Sequence, residues 1–467
     1  MHPRECFLTH PLPPLERGEK KIKIRNNIHS HCIMIKQYFK QAWTMMRQNK
    51  LFTSIYVAGT GLSIAFTMVL FIIYYVKFAP VYPEYNRDRT LVINRMNVSQ
   101  KDNPDNYSCN HGVALKVVDM LKGLPHLDKI GSSSNIGGLL GYTMTLPESN
   151  ELYTPAINFT DRGFWDVFTF QFLSGKPYDE ADVEAGLPKA VISESMAKRF
   201  FARTDVVGEY MNLDGKDIQV CGVVRDASTA TPVTVGEIYL PIHFCELFRM
   251  FPDNNLSGNI QLYLTATTKD DVETLRSEVQ EVFKQYNLQD EVYESKLMNQ
   301  PDVWWKNYFR IECNHEPDIA KAIRSILYML LALLFIPAMN LCGMISSRMD
   351  ERLSEMGVRK AYGATNQSLI GQVLTENLLL TFVGGLLGLM LAYAITLAGG
   401  ETILKLLDED PVSFGNISTA LNLEMLINLP LFLSVFGVCV LLNLISALVP
   451  TLLALRHPII YSIQTKR

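Results

Sequence analysis

Four uncharged, apolar runs constrain the fold of this chain more than any other feature of its sequence. They cover residues 52–76, 325–347, 377–398 and 430–455. A helix of about 20 predominantly apolar residues crosses the hydrocarbon core of a bilayer, so each run is long enough to span a membrane. The first run is too long for a signal-peptide core and no small-x-small cleavage site follows it, which predicts an uncleaved anchor. The spacing predicts one span, a long interval, and then three spans close together.

Basic residues in the short flanks of these runs predict their orientation, because such residues accumulate on the cytoplasmic side. The loop between the second and third runs is rich in arginine, and residues 456–467 carry three further lysine and arginine side chains. The loop at residues 399–429 is mainly acidic. Both termini and residues 348–364 are therefore predicted to face the cytoplasm, with residues 77–321 outside. In a bacterium with two membranes, the spans would lie in the inner membrane and the interval in the periplasm.

The N-terminal region differs in composition from the rest of the chain. Residues 1–33 contain several prolines and a basic run without apolar periodicity, which predicts disorder. Two interpretations stay open: a real tail, or an upstream extension of a chain that starts at Met34. Residues 34–51 are amphipathic and basic, which is typical of an interfacial helix on an anionic cytoplasmic leaflet.

The long interval between the first two runs is large enough to bury a core of its own. Its strand and helix patterns predict a membrane-proximal α+β layer at about residues 85–130 and 259–321, with a lobe at about 131–258 inserted into it. A turn at Asp214-Gly215 is predicted to close a β-hairpin in that lobe. The predicted fold class is an α-helical membrane protein with four transmembrane helices and a large α+β extracytoplasmic domain inserted between helices 1 and 2.

No motif for catalysis or nucleotide binding occurs in the sequence. The P-loop pattern that holds nucleotide phosphates is absent, as are Gly-x-Ser-x-Gly and His-Glu-x-x-His. The nearest approach to a metal site is two pairs, Cys109 with His111 and Cys313 with His315. Neither pair has the spacing of a known zinc class, so a histidine beside an unpaired thiol is the favoured interpretation. No catalytic, cofactor or metal residue is predicted, and a net charge of −4 without a basic patch does not indicate nucleic-acid binding.

A short amphipathic segment lies between the second and third runs. Met349, Leu353 and Met356 fall on one face of a helix, with charged residues on the other. Glu355 precedes Arg359 by four residues, the orientation that favours an intrahelical ion pair. The apolar ridge predicts a contact either with a groove on a partner protein or with the membrane interface.

Three sequence strings in this region closely resemble the signature of the FtsX-like permease family of ABC transporters, which includes MacB-like permeases. They read EMGVRKAYGAT at 355–365, TENLLL at 375–380 and GGLLG at 384–388. The strings FWDVFTFQFLSGKP at 164–177 and DVVGEYMNLDGKDIQVCGVV at 205–224 resemble the MacB-like periplasmic core domain more loosely.

The resemblance implies that residues 348–364 form a cytoplasmic coupling helix, which docks on a separate ABC ATPase that binds ATP and magnesium. The residues implied in this contact are Met349, Arg352, Leu353, Glu355, Met356, Gly357, Val358, Arg359, Lys360 and Gly363. In MacB-like relatives the ATP-driven movement acts on substrates outside the membrane, which implies efflux or mechanotransmission, with a periplasmic adaptor as a further partner in efflux. Other members of the family extract lipoproteins or activate cell-wall hydrolases. A membrane receptor that signals through its ATPase is the alternative, although only short cytoplasmic segments are predicted.

Four spans are few for a transporter, which predicts two copies, either a homodimer or a pair with a related permease. Gly384, Gly388 and Ala392 recur every fourth residue in the third run, and small side chains allow helix backbones to approach closely. This stripe predicts a helix contact either between two copies or within one subunit. Asn340 and Asn443 are polar residues inside spans, and hydrogen bonding between helices is the favoured interpretation for both.

Overall fold

The computed structural model describes residues 50–147, 151–249, 255–407 and 429–455, together with residues 40, 43, 44, 47 and 48. The chain divides into two compact units. The helical unit comprises Met1–Met68, Met329–Ala392 and Pro430–Arg467, and the sheet unit comprises Val69–Tyr328 and Tyr393–Leu429. The predicted segments 1–33 and 456–467, and most of 34–51 and 399–429, lie outside the described residues.

The described helices that lie wholly within the sheet unit have 18 residues or fewer, whereas the other described helices have 27 or more. In chain order the α-helices are α1 (Lys50–Phe78), α2 (Lys116–Leu121), α3 (Gly137–Leu140), α4 (Phe164–Val167), α5 (Glu180–Ala185), α6 (Glu194–Phe201), α7 (Val272–Gln289), α8 (Trp304–Asn307), α9 (Ile319–Ala361), α10 (Asn366–Leu407) and α11 (Leu429–Leu455). Helices α1, α9 and α10 each run from one unit into the other.

The strands all belong to the sheet unit. They are β1 (Thr90–Ile93), β2 (Met96–Gln100), β3 (Tyr107–Asn110), β4 (Leu127–Ser134), β5 (Met144–Thr145), β6 (Leu152–Tyr153), β7 (Ile157–Thr160), β8 (Phe172–Gly175), β9 (Lys189–Ser193), β10 (Tyr210–Leu213), β11 (Lys216–Val224), β12 (Ile238–Pro241), β13 (Gln261–Ala266), β14 (Tyr293–Lys296) and β15 (Asp302–Val303). The main sheet has the order β10-β11-β9-β12-β7-β4-β13-β1-β15, with β8 paired to β11. Strands β14-β2-β3 form a small second sheet, and β5 pairs with β6.

The main sheet joins the two parts that were predicted as a layer and an inserted lobe. The predicted boundary at residue 131 falls inside β4, which pairs with β13 on one side and with β7 on the other. Strands β1, β7 and β12 are buried along their whole length. Strands covered on both faces are near-continuously apolar and carry little alternation to mark where one layer ends. The α+β character of the domain is as predicted, and one sheet runs through it.

The predicted β-hairpin is present as β10 and β11. Leu213 pairs with Lys216, and the two residues between them, Asp214 and Gly215, have positive φ angles of 50° and 79°. Such a two-residue turn with both φ values positive matches the right-handed twist of the flanking strands.

Three helices of the described residues are long and apolar enough to cross a membrane: Thr53–Phe78, Asn366–Gly399 and Phe432–Leu453. The second of them contains the third predicted span, and the other two overlap most of the first and fourth. The second predicted span, residues 325–347, lies inside α9, where many side chains fall outside the described residues, and it stays a prediction. Helix α9 continues without interruption into residues 348–361, so this span and the coupling segment belong to one helix.

Candidate functional site

A tight turn joins α9 to α10 and closes a helical hairpin. Gly363 has a φ of +93°; its N–H donates to the carbonyl of Lys360, and the N–H of Ala364 donates to the carbonyl of Arg359, both at 3.0 Å. These two bonds satisfy carbonyls that the end of a helix leaves unpaired, and glycine adopts the left-handed conformation without steric cost. The hydroxyl of Thr365 then accepts a bond from the N–H of Ser368 at 3.3 Å and caps α10.

The turn places Met356 against its own chain. Its side chain is 8% exposed and belongs to a buried cluster with Tyr56 and Val57 of α1 and Leu369 and Val373 of α10. Met356 is therefore covered by the first turns of α10 and by α1, and not by either of the two predicted contacts, a partner groove or the membrane interface. Gly357 is buried as well. The side chains of Met349, Arg352 and Leu353 lie outside the described residues, so their role stays a prediction.

The two predicted basic residues of the hairpin make bonds within the chain. Arg359 pairs with Glu355 at 2.5 Å, as the spacing predicted, and also donates to the side-chain oxygen of Gln372 on α10 at 2.7 Å. Lys360 donates to the carbonyl of Leu455 at 2.8 Å, at the last residue of α11. A cation at a helix C-terminus satisfies unpaired carbonyls and complements the helix dipole. Arg359 and Lys360 thus fasten the hairpin to α10 and α11.

A different set of side chains on the hairpin faces solvent. Val358 is 45% exposed and Tyr362 is 89% exposed, four residues apart and hence on one side of α9. Glu355, three residues before Val358, is also exposed. We call Glu355, Val358 and Tyr362 the coupling face. Val358 and Tyr362 form an apolar contact surface on the hairpin, and Glu355 gives this surface an acidic edge.

The glycine stripe of α10 packs against α1 within the subunit. A Cβ atom added to Gly384 would lie 3.1 Å from Cβ of Thr60, and one added to Gly388 would lie 2.5 Å from the carbonyl oxygen of Gly61. The backbones of α1 and α10 are therefore nearly in contact, as small residues allow. Ala392, the third residue of the stripe, is fully buried. The sequence left open a contact between two copies or within one subunit. Both glycines contact α1 of the same subunit.

Helix α11 joins this packing through a neutral hydrogen bond. The side-chain amide of Asn443 donates to the hydroxyl of Thr381 on α10 at 3.4 Å, and both residues are buried. This confirms the predicted bond between helices for Asn443. The side chain of Asn340 lies outside the described residues.

In the sheet unit, Arg87 fixes the end of α1. Its guanidinium donates to the carbonyls of Val76 at 2.6 Å, Lys77 at 3.1 Å and Ala79 at 2.7 Å. The same group pairs with Glu84, and both side chains are at most 2% exposed. A helix end buried in protein needs partners for its last carbonyls, and a buried cation needs a counter-charge. Arg87 meets the first need and Glu84 meets the second.

Two further contacts extend this junction, which we call the α1 anchor (Glu84, Arg87 and Thr234). The hydroxyl of Thr234, shortly before β12, donates to the second carboxylate oxygen of Glu84 at 2.8 Å. The ring of Trp304 lies 5.4 Å from the Arg87 guanidinium carbon, within the range of a cation–π contact. Through Arg87 and Glu84, the end of α1 is thus linked to Thr234 in the middle of the sheet unit and to Trp304 near its end.

The segment that leads into α9 is held by a disulfide and a buried ion pair. Cys109 of β3 is bonded to Cys313, with Cα atoms 5.7 Å apart. Arg310 pairs with Asp302 of β15, and both side chains are at most 1% exposed. Both interpretations of the cysteine–histidine pairs are therefore wrong, since the two thiols are bonded to each other. Among the described residues no group of three or more His, Cys, Asp or Glu side chains could hold a metal ion.

Burial also changes the acidity of one carboxyl group in the sheet unit. Asp161 accepts bonds from the N–H and hydroxyl of Ser132, at 3.0 and 2.6 Å, and from the N–H of Phe164 at 2.7 Å. Burial outweighs these bonds and raises the pKa of Asp161 to about 6. The carboxyl lies between β4 and α4 and has no charged partner among the bonds named here.

Two family models match the chain. The model of the MacB-like periplasmic core domain matches residues 53–282, and that of the FtsX-like permease C-terminal region matches residues 326–459. The second match includes the α9–α10 hairpin and the α10 glycines. The chain belongs to the FtsX-like permease family.

Curated relatives of this permease are about one quarter identical to it over the aligned residues. An uncharacterized ABC transporter permease of Bacillus subtilis, YknZ, is 24% identical over 58% of this chain and 64% of its own length. The macrolide export ATP-binding/permease protein MacB of a Shewanella strain is 25% identical over 62% of this chain and 41% of its own. The pyoverdine export ATP-binding/permease protein PvdT of Pseudomonas syringae pv. tomato is 26% identical over 50% and 34%. The permease matches less than two thirds of the length of each.

Two solved structures align with part of the permease. The extracellular domain of YknZ from Gram-positive bacteria aligns over 44% of this chain and 100% of its own, with 18% identity and a TM-score of 0.30. The periplasmic region of MacB from Actinobacillus actinomycetemcomitans aligns over 44% and 88%, with 15% identity and a TM-score of 0.30.

Sequence reasoning missed four features of the permease. Tyr362 was included in the coupling segment but not among its contact residues, although a tyrosine just before a turn-forming glycine is a signal for an exposed aromatic. Gly61 had the same small-residue signal as Gly384 and was overlooked. Arg87 and the Cys109–Cys313 bond had no usable signal, because their partners are backbone atoms or lie far away in the sequence.

Proposed function

We propose that this permease is the membrane subunit of an ABC transporter and receives the movement of a separate ATPase at the coupling face. The exposure of Val358 and Tyr362 carries the proposal. The other polar side chains of residues 355–365, which are Glu355, Arg359, Lys360 and Thr365, are bonded within the hairpin or to α11. An apolar pair at the tip of an internally bonded hairpin suits a groove on a partner, as amphipathic helices are bound elsewhere. ATP and magnesium would bind to that partner.

We further propose that α1 passes the movement to the extracytoplasmic domain. Helix α1 is continuous from Lys50 to Phe78. Near its middle it meets α10 at Gly61, and at its end Arg87 binds its last carbonyls. A displacement of α10 would therefore be passed to α1, because α1 is held both at Gly61 and at the carbonyls that Arg87 binds. The domain between α1 and α9 would change its position or shape in response.

The names of two relatives, which refer to macrolide and pyoverdine export by those proteins, support efflux as the role of this permease. Mechanotransmission to an extracytoplasmic partner would use the same coupling face and the same helix α1. In either role we expect two copies of the permease with two ATPase subunits, both termini in the cytoplasm, and a periplasmic adaptor if the substrate is exported. The α10 glycines are occupied by α1, so the contact between copies would use another surface.

Substitution of the coupling face tests the proposal. The permease is co-expressed with a candidate ABC ATPase from the same organism, purified in nanodiscs, and compared with a variant carrying Val358→Asp and Tyr362→Asp. We expect the variant to insert and fold but to lose the ATPase and its stimulated hydrolysis. Tyr210→Asp is the control, because Tyr210 is 62% exposed on β10 of the sheet unit. Retention of the ATPase at the wild-type ratio would contradict the proposal.

A further inference from the structure

The segment between α8 and α9 leaves two large apolar side chains exposed. Trp305 is 44% exposed and Ile311 is 50% exposed. The residues between them turn the other way, since the rings of Tyr308 and Phe309 lie 5.7 and 6.0 Å from the ring of Phe78. The segment therefore packs one side against the end of α1 and presents the other to its surroundings.

The contact with Phe78 indicates the depth of this segment relative to the membrane. The apolar stretch that ends at Phe78 has 26 residues. At 1.5 Å per residue it is about 39 Å long, about 9 Å more than the hydrocarbon core of a bilayer. Its last turns therefore emerge into the headgroup region, and they contain Tyr74, Tyr75 and Lys77, the residue types that mark this boundary. Side chains that touch Phe78 lie at the same level.

A third large side chain that is exposed lies beside the same helix end. Tyr85 is 48% exposed and comes two residues before Arg87, whose guanidinium binds the carbonyls of Val76, Lys77 and Ala79. Because two residues of extended chain span at most about 7 Å, the backbone of Tyr85 stays close to that of Arg87. Trp305 is followed directly by Lys306, and an aromatic side chain beside a lysine is typical of the membrane–water interface.

We infer that Trp305, Ile311 and Tyr85 form a lipid-contact surface, which inserts into the boundary between headgroups and acyl chains of the outer leaflet. The occupant is phospholipid, because the surface is continuous with the membrane-spanning helix through Phe78, Tyr308 and Phe309. The apolar bodies of the three side chains are removed from water there, while the indole N–H and the phenol keep polar neighbours. The surface would hold the extracytoplasmic domain against the membrane at the foot of α1. It does not depend on an ATPase or on a transported substrate.

Fluorescence quenching by lipid tests this inference in the full chain. The four tryptophans are reduced to Trp305 by Trp43→Phe, Trp165→Phe and Trp304→Phe, and the protein is placed in nanodiscs of phosphatidylcholine brominated on the acyl chain near the headgroup. We expect Trp305 to lose most of its emission relative to unbrominated lipid. The matched control replaces Trp305 by Phe and carries Tyr210→Trp on β10, and its emission should not change.

Two outcomes would overturn the inference. In the first, brominated lipid quenches the emission of Trp305 no more than it quenches the emission of the control. In the second, Trp305 is protected from aqueous iodide but is not quenched by lipid, which would indicate a protein partner. If the triple substitution prevents folding, the wild-type chain and Trp305→Ala are compared instead. The wild-type chain should then show additional lipid quenching that the variant lacks, and equal quenching in both would overturn the inference. Neither version depends on ATPase binding, so a failure here is distinct from a failure of the proposed function.

Discussion

The sheet unit and the helical unit hold their buried polar groups in different ways. In the sheet unit, two buried cations are each paired with a buried carboxylate: Arg87 with Glu84 and Arg310 with Asp302. At the α1–α10–α11 contact of the helical unit, two glycines of α10 come into near backbone contact with α1, and a neutral hydrogen bond joins Asn443 to Thr381. Water expels the apolar surface of the sheet unit, and this drive compensates for the desolvation of charges. Between helices in lipid that drive is missing, so close packing and neutral hydrogen bonds hold the helices together.

The difference predicts different vulnerabilities for the two units. Removal of one charge should damage the sheet unit most, because its partner is left buried without compensation. Addition of volume should damage the helical unit most, because its backbones leave no room.

Arg87→Met should have the largest effect. It leaves the buried Glu84 carboxylate without its cation and releases three carbonyls at the end of α1, those of Val76, Lys77 and Ala79, at a cost of about 3–5 kcal/mol of unfolding free energy. Thermal unfolding followed by tryptophan emission measures it. The control is Arg203→Met, whose pair with Glu209 is about half exposed and contributes less than about 1 kcal/mol. Equal midpoints for the two variants would show that the α1 anchor adds no stability.

Removal of the disulfide should come next. Cys109→Ser with Cys313→Ser opens a link between residues 204 positions apart and should lower the unfolding free energy by about 2–4 kcal/mol. Reduction of the wild-type protein should produce the same shift in unfolding midpoint, and reduction of the double variant should produce none. A wild-type midpoint that reduction leaves unchanged would contradict this prediction.

Gly388→Leu should destabilise the helical unit by about 1–3 kcal/mol, since its Cβ would meet the Gly61 carbonyl oxygen at 2.5 Å. The measurement is resistance of the solubilised protein to unfolding by sodium dodecyl sulfate. Gly437→Leu on α11 is the matched control, because a Cβ there meets no atom within 4 Å. A variant at Gly388 as resistant as the control would mean that α1 and α10 are not packed closely.

The protonation of Asp161 should change how the stability of the sheet unit depends on pH. Its pKa is raised to about 6 in the folded protein, above the unfolded value of about 3.9. The folded state therefore holds the proton more tightly, so this carboxyl favours folding most below pH 4, and that contribution is lost as the pH rises through 6. Asp161→Asn keeps an acceptor for the two N–H donors and should flatten the decline in unfolding midpoint between pH 4 and 6. An unchanged slope would mean that another group titrates.

How much the sequence could predict depended on the distance between interacting residues. The β10–β11 turn and the break at Gly363 were predictable, because glycine at a positive φ acts within a few residues. The helical face of Met356 was also predictable, but not what covers it, since periodicity does not distinguish α10 from a partner protein. Arg87 could not be identified, because its ligands are backbone carbonyls that any sequence would supply.

Photo-crosslinking at position 362 tests the central claim most directly. The photoreactive residue benzoylphenylalanine replaces Tyr362 in the full chain in native membranes. In a parallel control it replaces Tyr210 instead. The account predicts one dominant product from position 362, in which mass spectrometry identifies an ABC ATPase, and no such product from position 210. Products from position 362 that contain only lipid or the permease itself would contradict the account, because the coupling face would then meet the membrane or its own chain.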